Sequence, residues 1–456
     1  MENFDFYNST KIIFGKGVIR QIGSSLRLQK CKKVLLLAGG GSIRQNGVYE
    51  QTVCSLKASG IKWVEHWGVR PNPLLSTVET AVIIAKGEKV DAILAVGGGS
   101  VVDSGKAVAA GFYMPDLWNA FARQAPIKKA LPLFVILTLS ATGSEMNCFT
   151  VITKEEEKKK WAAGAPPLYP VVSIIDPEIQ TTLPWNQTVN GGLDALAHIM
   201  EFYFLGTTEE TTIALDEALM RTLIKTVDKL QKDPTHYELR ANLTWAATLA
   251  LNGTSGAQLM GGDWATHAIE HGLSALHPEV AHGTGLGILF PAWVRFMEPN
   301  NPPQFKRWAK QVWNASSLDQ GIDKMKAALQ KWEAPISLRE LGIKQNEIKL
   351  IADNACASYF VLGPATDTDW RQHDLADHRV TLIVNDRLAR EGRGANVLGD
   401  PRIALTWIAN ELSLTDDMLR AGQVITTGTC IVPAEIAQGD SVVADFGIFG
   451  CAEARL

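Results

Sequence analysis

Over the first 180 positions, apolar residues come in short runs separated by glycine-rich turns and by stretches with helical spacing. "KKVLLLA" (32–38) leads into Gly39-Gly40-Gly41-Ser42, and "VDAILAV" (90–96) leads into Gly97-Gly98-Gly99-Ser100. "LPLFVILTL" (131–139) leads into "SATGSE", and "PVVSIID" (170–176) ends at Pro177. Strand-sized runs alternating with helical segments predict a parallel sheet with crossover helices. "TKIIFG" (10–15) reads as an extra strand at a sheet edge. From about 188 to 360 the period changes. "TTIALDEALMRTLIKTVDKLQK" and "DWATHAIEHGLSALH" repeat their apolar residues at three- and four-residue steps, predicting an all-helical domain without strands. A third texture begins near residue 363. There "HRVTLIVNDRLAREG" reads as a hairpin turning at Asn385-Asp386 and "DPRIALTWIANELS" as a helix. "GQVITTGTCIV" and "GDSVVADFGIFG" read as strands. The expected organisation is an α/β nucleotide-binding domain (1–184), an all-α domain (185–362) and a mostly β extension (363–456).

Composition narrows the classes. With 46% apolar and 20% charged residues in 456, the chain has the make-up of a folded soluble protein of two or three domains. A net charge of −4 argues against nucleic acid or an anionic membrane as partner. The longest apolar run is strand-sized, too short to span a bilayer. The N-terminus lacks the long apolar segment of a secretory signal. Cys31, Cys54, Cys148, Cys356, Cys430 and Cys451 are scattered, with no CxxC pair. That spread suits a reducing cytoplasm, so a metal site here has to be built from histidine and carboxylate.

Candidate chemistry lies in two places. The paired GGGS segments sit where a strand gives way to a helix, where close backbone approach and helix-start N–H groups can hold phosphate oxygens. Ser100 and Asp103 add polar reach, and Thr138 and Thr142 follow a third strand. A clean GxGxxG is absent. The second place is histidine-rich: "HAIEHGLSALHPEVAHG" holds four of the nine histidines. Asp194 and His198 are spaced i,i+4 on one helix, His267 and His271 repeat the spacing, and His282 follows past Pro278. Imidazole nitrogens with a carboxylate oxygen suit Fe²⁺ or Zn²⁺. Five candidates exceed what a metal open to substrate needs, which leaves a histidine free for proton transfer. His277 is the weakest candidate, and His66, His236, His373 and His378 show no partner pattern.

The segments "AVGGGSVVDSGKAVA", "TLSATGSEMN", "GGLDALAHIMEFY" and "THAIEHGLSALHPEVAHGTGLGILFPAW" together resemble the iron-containing (group III) alcohol dehydrogenase family, in its order, over about residues 1–360. The closest branch is that of the butanol dehydrogenases and NADPH-dependent aldehyde reductases. The resemblance implies a Rossmann-like nucleotide domain and a helical metal-binding domain of dehydroquinate synthase-like architecture. It also implies hydride transfer between a nicotinamide and a small alcohol or aldehyde. By position it makes Asp194, His198, His267 and His282 the metal ligands and His271 the proton relay. It gives cofactor contacts to the loop Gly39, Gly40, Gly41 and Ser42, to Gly97, Gly98, Gly99, Ser100 and Asp103, and to Thr138, Thr142, Asn72 and Lys160. Strictly NAD-dependent members carry an aspartate where Gly39 stands, so NADP(H) is expected over NAD(H), with Ser42 and Arg44 nearby. The early edge strand suggests a homodimer.

The last ninety or so residues do not fit that family. "GANVLGDPRIALTWIANELS" and "AGQVITTGTCIVPAEIAQGDSVVADFGIFG" resemble the C-terminal part of the 2-keto-4-pentenoate hydratase and fumarylacetoacetate hydrolase superfamily. That superfamily draws its metal carboxylates from an upstream region that does not precede this tail, so no hydratase activity is expected of it. Two rival readings of the whole chain are a non-redox metalloenzyme of dehydroquinate synthase-like architecture and an inactive fusion scaffold.

Overall fold

A computed structural model describes residues 3–259, 261–344, 364, 366, 368–397, 399–413, 430–431, 434, 436–437 and 439–455. The chain divides into two compact units, Met1–Cys356 and Ala357–Leu456.

The first unit opens with β1 (Lys11–Phe14), α1 (Ile22–Leu28), β2 (Lys33–Ala38), α2 (Ser42–Gln45), α3 (Val48–Ala58) and β3 (Lys62–His66). It continues with α4 (Leu75–Gly87), β4 (Ala92–Gly97), α5 (Gly99–Gly111), α6 (Trp118–Phe121) and β5 (Leu133–Leu137). A hairpin of β6 (Phe149–Lys154) and β7 (Lys159–Gly164) precedes β8 (Val172–Ile175). Six of these strands form one parallel sheet in the order β1-β8-β5-β4-β2-β3. The five runs read as strands in the sequence are all strands here, and β1 lies at the edge. The short strand β3 and the β6–β7 hairpin were not anticipated. Only the middle of "KEEEKKK" is a turn, because Lys159 and Lys160 belong to β7.

Continuous apolar runs suit strands covered on both faces. Leu35 and Leu37 join a core with Val78, Val101 and Val135, whereas Val34, Leu36 and Ala38 join one with Ile22, Leu26 and Leu56. After β2 the chain moves outward to β3, and after β4 it moves the other way to β5. The strand order therefore reverses between β2 and β4, and both GGGS loops leave the carboxyl ends of those two neighbours. Open α/β sheets bind ligands at such a crevice.

The rest of this unit is helical: α7 (Trp185–Tyr203), α8 (Glu210–Leu230), α9 (Tyr237–Ala250), α10 (Ala265–Leu276), α11 (His282–Met297), α12 (Pro302–Gln311) and α13 (Leu318–Lys331). Among the described residues 185–344 there is no strand, as the periodicity predicted. The helices enclose a core that includes Leu193, Met220, Leu286, Phe305 and Trp308. Helices α7 and α11 touch closely at Gly283, where an added Cβ would lie 2.1 Å from the Asn190 carbonyl oxygen. Backbone cannot yield there as a flexible side chain could. Gly283→Ala is expected to cost about 1–3 kcal/mol, read as a lower Tm in thermal unfolding, and an unchanged Tm would show that the helices can part freely.

The second unit carries an antiparallel sheet ordered β10-β9-β11-β12, formed by β9 (Arg379–Val384), β10 (Arg387–Arg393), β11 (Ser441–Asp445) and β12 (Cys451–Arg455). Asn385 and Asp386, with φ of 51° and 60°, make the predicted hairpin turn. The predicted helix spans Pro401–Ser413. The strand expected over 422–432 lies outside the described residues except at Cys430 and Ile431.

Candidate metal and nucleotide site

Three elements of the helical half converge on one buried spot. Helix α7 contributes Asp194 and His198, one turn apart, and α10 contributes His267 and His271. His282 comes from the first turn of α11. Asp194 Oδ1 lies 3.7 Å from His198 Nδ1, 4.0 Å from His267 Nε2 and 3.7 Å from His282 Nε2. Those separations are too long for hydrogen bonds. They are close to the roughly 3.4–3.6 Å expected between donors sharing one ion at about 2.0–2.2 Å each. Asp194 Oδ1, His198 Nδ1 and His267 Nε2 are buried and have no hydrogen-bond partner. Buried polar atoms are almost always paired. Here three orphans face one another, and a divalent cation would satisfy all of them. Asp194, His267 and His282 can each bring a ligand atom within 4.8 Å of the others. The residues therefore fit a metal ion.

Burial pushes the Asp194 carboxyl above its ordinary pKa, against the pull of His282 and His267. Burial, followed by the neighbouring His267, holds His198 well below the usual imidazole value, so the ring is neutral and can donate a lone pair. His271 stands slightly apart, its ring 5.4 Å from that of His282 and 6.5 Å from that of His267. Burial, then Lys160 and His282, keep it well below its usual pKa.

Two carboxylates that the motif reading missed lie behind the imidazoles. Glu201 Oε1 is 2.9 Å from His267 Nδ1, and Glu270 Oε2 contacts His282 Nδ1; both glutamates are fully buried. A signal was present in the spacing. Glu201 extends Asp194 and His198 to i, i+4, i+7, and Glu270 is three residues after His267, so both share the ligands' helix faces.

At the sheet's carboxyl edge, Gly98 precedes the first turn of α5, and the Thr138 N–H donates to the Gly97 carbonyl at 2.9 Å. Gly99 lies so near Thr142 that an added Cβ would meet its side chain at 2.6 Å. The structure thus brings Gly97–Ser100, Thr138 and Thr142 together beside the Gly39–Ser42 loop. Arg44, just beyond that loop, holds its guanidinium 4.2 Å from the Trp67 ring and 4.9 Å from the Tyr49 ring.

Three of the expected contact residues are engaged with protein groups. Asp103 is buried and accepts hydrogen bonds from Ser144 Oγ at 2.5 Å and Val151 N–H at 3.0 Å. Lys106, pushed down to about 8 by burial, donates to the same Ser144 and to Asn147. Asn72, with φ of 52°, donates to the Pro278 carbonyl at 3.2 Å, across to the loop before His282. Lys160 reaches from β7 to Glu270 at 3.3 Å and Ser274 at 2.8 Å.

Residues 9–177 match the sequence model for iron-containing alcohol dehydrogenase, and residues 188–368 match that for the C-terminal part of the Fe-containing alcohol dehydrogenase family. Residues 335–456 match the model for the fumarylacetoacetate (FAA) hydrolase C-terminal region. Among curated relatives, the probable NADH-dependent butanol dehydrogenase 1 of Bacillus subtilis is 41% identical over 370 residues, 78% of this chain and 94% of that protein. The NADPH-dependent aldehyde reductase of Escherichia coli is 36% identical over 408 residues, 86% of this chain and all of that one. The crystal structure of NADH-dependent butanol dehydrogenase A from Thermotoga maritima superposes with a TM-score of 0.77 at 51% identity, covering 78% of this chain and 90% of that one.

Proposed function

Because the chain belongs to the iron-containing alcohol dehydrogenase family and is an oxidoreductase of alcohols and aldehydes, we propose that it works as a metal-dependent, NADP(H)-preferring dehydrogenase of small primary alcohols. The observation that carries this reading is the set of unpartnered ligand atoms on Asp194, His198 and His267, with His282 Nε2 beside them. These four residues would hold one divalent ion, Fe²⁺ or Zn²⁺. When bound, the ion supplies Lewis acidity at the substrate oxygen and the nicotinamide gives or takes the hydride.

The chain's own residues do the rest. Backbone N–H groups around Gly97–Ser100, at the start of α5, and around Gly39–Ser42 hold the cofactor phosphates. Thr138 and Thr142 border that loop. Asp103 contributes by tying Ser144 and β6 to α5, so it positions the turn that carries Thr142. His271 takes the alcohol proton in oxidation, through the cofactor ribose or a water, and supplies it in reduction. The helices around the site exclude water and fix the distance between the reacting groups.

NADP(H) preference is supported by Gly39, which places no carboxylate in the first loop itself, and by Arg44, whose guanidinium lies just beyond that loop over the Tyr49 and Trp67 rings and 3.7 Å from Glu65. No described helix is long and apolar enough to cross a membrane. The free thiols of the described cysteines support a cytoplasmic setting. The exposed edge of β1 supports a homodimer.

The test is oxidation of NADPH by purified protein with butanal, in the presence of Fe²⁺ or Zn²⁺, repeated with NADH. Turnover favouring NADPH supports the whole reading. Turnover favouring NADH removes only the nucleotide preference, and no turnover by folded protein with either ion removes the proposed activity.

A further inference from the structure

Each of two ligand histidines has its outward nitrogen against a fully buried glutamate. His267 Nδ1 meets Glu201, which is held in turn by the Thr266 hydroxyl and the His267 N–H. His282 Nδ1 meets Glu270, which is held by Lys160. The opposite nitrogens, Nε2 on both rings, face Asp194.

We infer that Glu201 and Glu270 are positioning residues that set metal affinity by locking the Nδ1–H tautomers of His267 and His282, with Lys160 fixing Glu270 from the nucleotide-binding half. This rests on the metal reading above.

A carboxylate accepts and cannot donate, so each Nδ1 must carry the proton and each Nε2 must present its lone pair to the ion. Lys160 Nζ also lies 3.5 Å from His282 Nδ1. Both groups are donors in that tautomer, so the ammonium bonds to Glu270 and Ser274 instead. His198 differs from the other two. Its unpartnered Nδ1 is the nitrogen close to Asp194, and among the described residues no carboxylate backs the ring. The two glutamates therefore orient the two rings that come from α10 and α11, while His198 is placed by its own helix. Lys160 lies on β7, so cofactor-side structure reaches the metal shell through Glu270.

Loss of a carboxylate behind a metal-bound histidine typically lowers metal affinity about 10–100-fold. Glu201→Gln, Glu270→Gln and Lys160→Met, each compared with the unaltered full chain, are expected to weaken Zn²⁺ binding by that factor in chelator competition. The apo-protein Tm of Glu201→Gln should stay near that of the parent, whereas Glu270→Gln and Lys160→Met each break a buried ion pair and should lower it. Zn²⁺ affinity within twofold of the parent in both glutamate variants would overturn the inference. If a variant fails to fold, ¹⁵N shifts of the histidines in the Zn²⁺-loaded parent decide the matter. Protonated Nδ1 at His267 and His282 is expected, and a proton on Nε2 of either overturns it. If the parent binds no Zn²⁺ or Fe²⁺ at all, the metal reading itself fails, which is distinct from variants that bind as the parent does.

Discussion

Asp194→Ala should turn over butanal with NADPH at least about 10³-fold more slowly than the parent, with no recovery on adding Fe²⁺ or Zn²⁺. Metal-stripped parent should lose as much and recover when the ion returns. A bound ion acting as Lewis acid contributes several kcal/mol to such a reaction, and each 1.36 kcal/mol is about tenfold in rate. Asp194 is the carboxylate of the set, 2% exposed, with its Oδ1 at the centre of three imidazoles. Burial raises its pKa, so without an ion the carboxylate is a cost to the fold rather than a support. The substitution should therefore leave the apo-protein Tm unchanged or higher. It should also abolish the rise in Tm that ion binding gives the parent. Parallel assays and melting curves, with and without ion, separate the two effects. Full activity in Asp194→Ala would remove the site from the chemistry.

The second large effect concerns nucleotide choice. Gly39→Asp should shift the NADPH-to-NADH ratio of kcat/KM by at least about 10²-fold toward NADH. A carboxylate there can accept from a ribose 2′-hydroxyl and repels a 2′-phosphate. Like charges brought together cost several kcal/mol, and about 2.7 kcal/mol already gives a hundredfold change. The fold can accommodate the change. A Cβ on Gly39 would lie 3.4 Å from the Val69 carbonyl oxygen and 3.9 Å from Val101 Cγ2, ordinary contacts. The loop should stay intact and the readout should be specificity rather than stability. Kinetics with both cofactors on one preparation measure it. An unchanged ratio would mean that residue 39 does not face the 2′ position.

Much of the architecture could be read along the chain, because each element carries its own period. Continuous apolar runs identified β2, β4 and β5, since a parallel strand buried on both faces has no polar side to alternate, and β8 keeps the pattern with only Ser173 interrupting it. Three- and four-residue steps identified α7 through α11, and Asn385-Asp386 marked a turn that requires positive φ. The strand β3 was missed because "KWVEH" mixes charge with aromatics, as a half-buried strand at a sheet edge can. The β6–β7 hairpin was hidden by "KEEEKKK", whose charges masked a lysine that becomes buried.

The sequence by itself determined the helical spacing that sets Asp194 with His198 and His267 with His271, because i,i+4 geometry is local. It also placed the two glycine loops after their strands. Only the tertiary structure brought His282 and Asp194 together across 88 positions of chain, and only it showed which polar atoms are left without partners. It also decided that Asp103, Asn72 and Lys160 turn toward protein groups, and that Glu201 and Glu270 back the ligand histidines. Such pairings depend on which helix faces meet and on what burial leaves unsatisfied, and neither quantity exists until the helices pack.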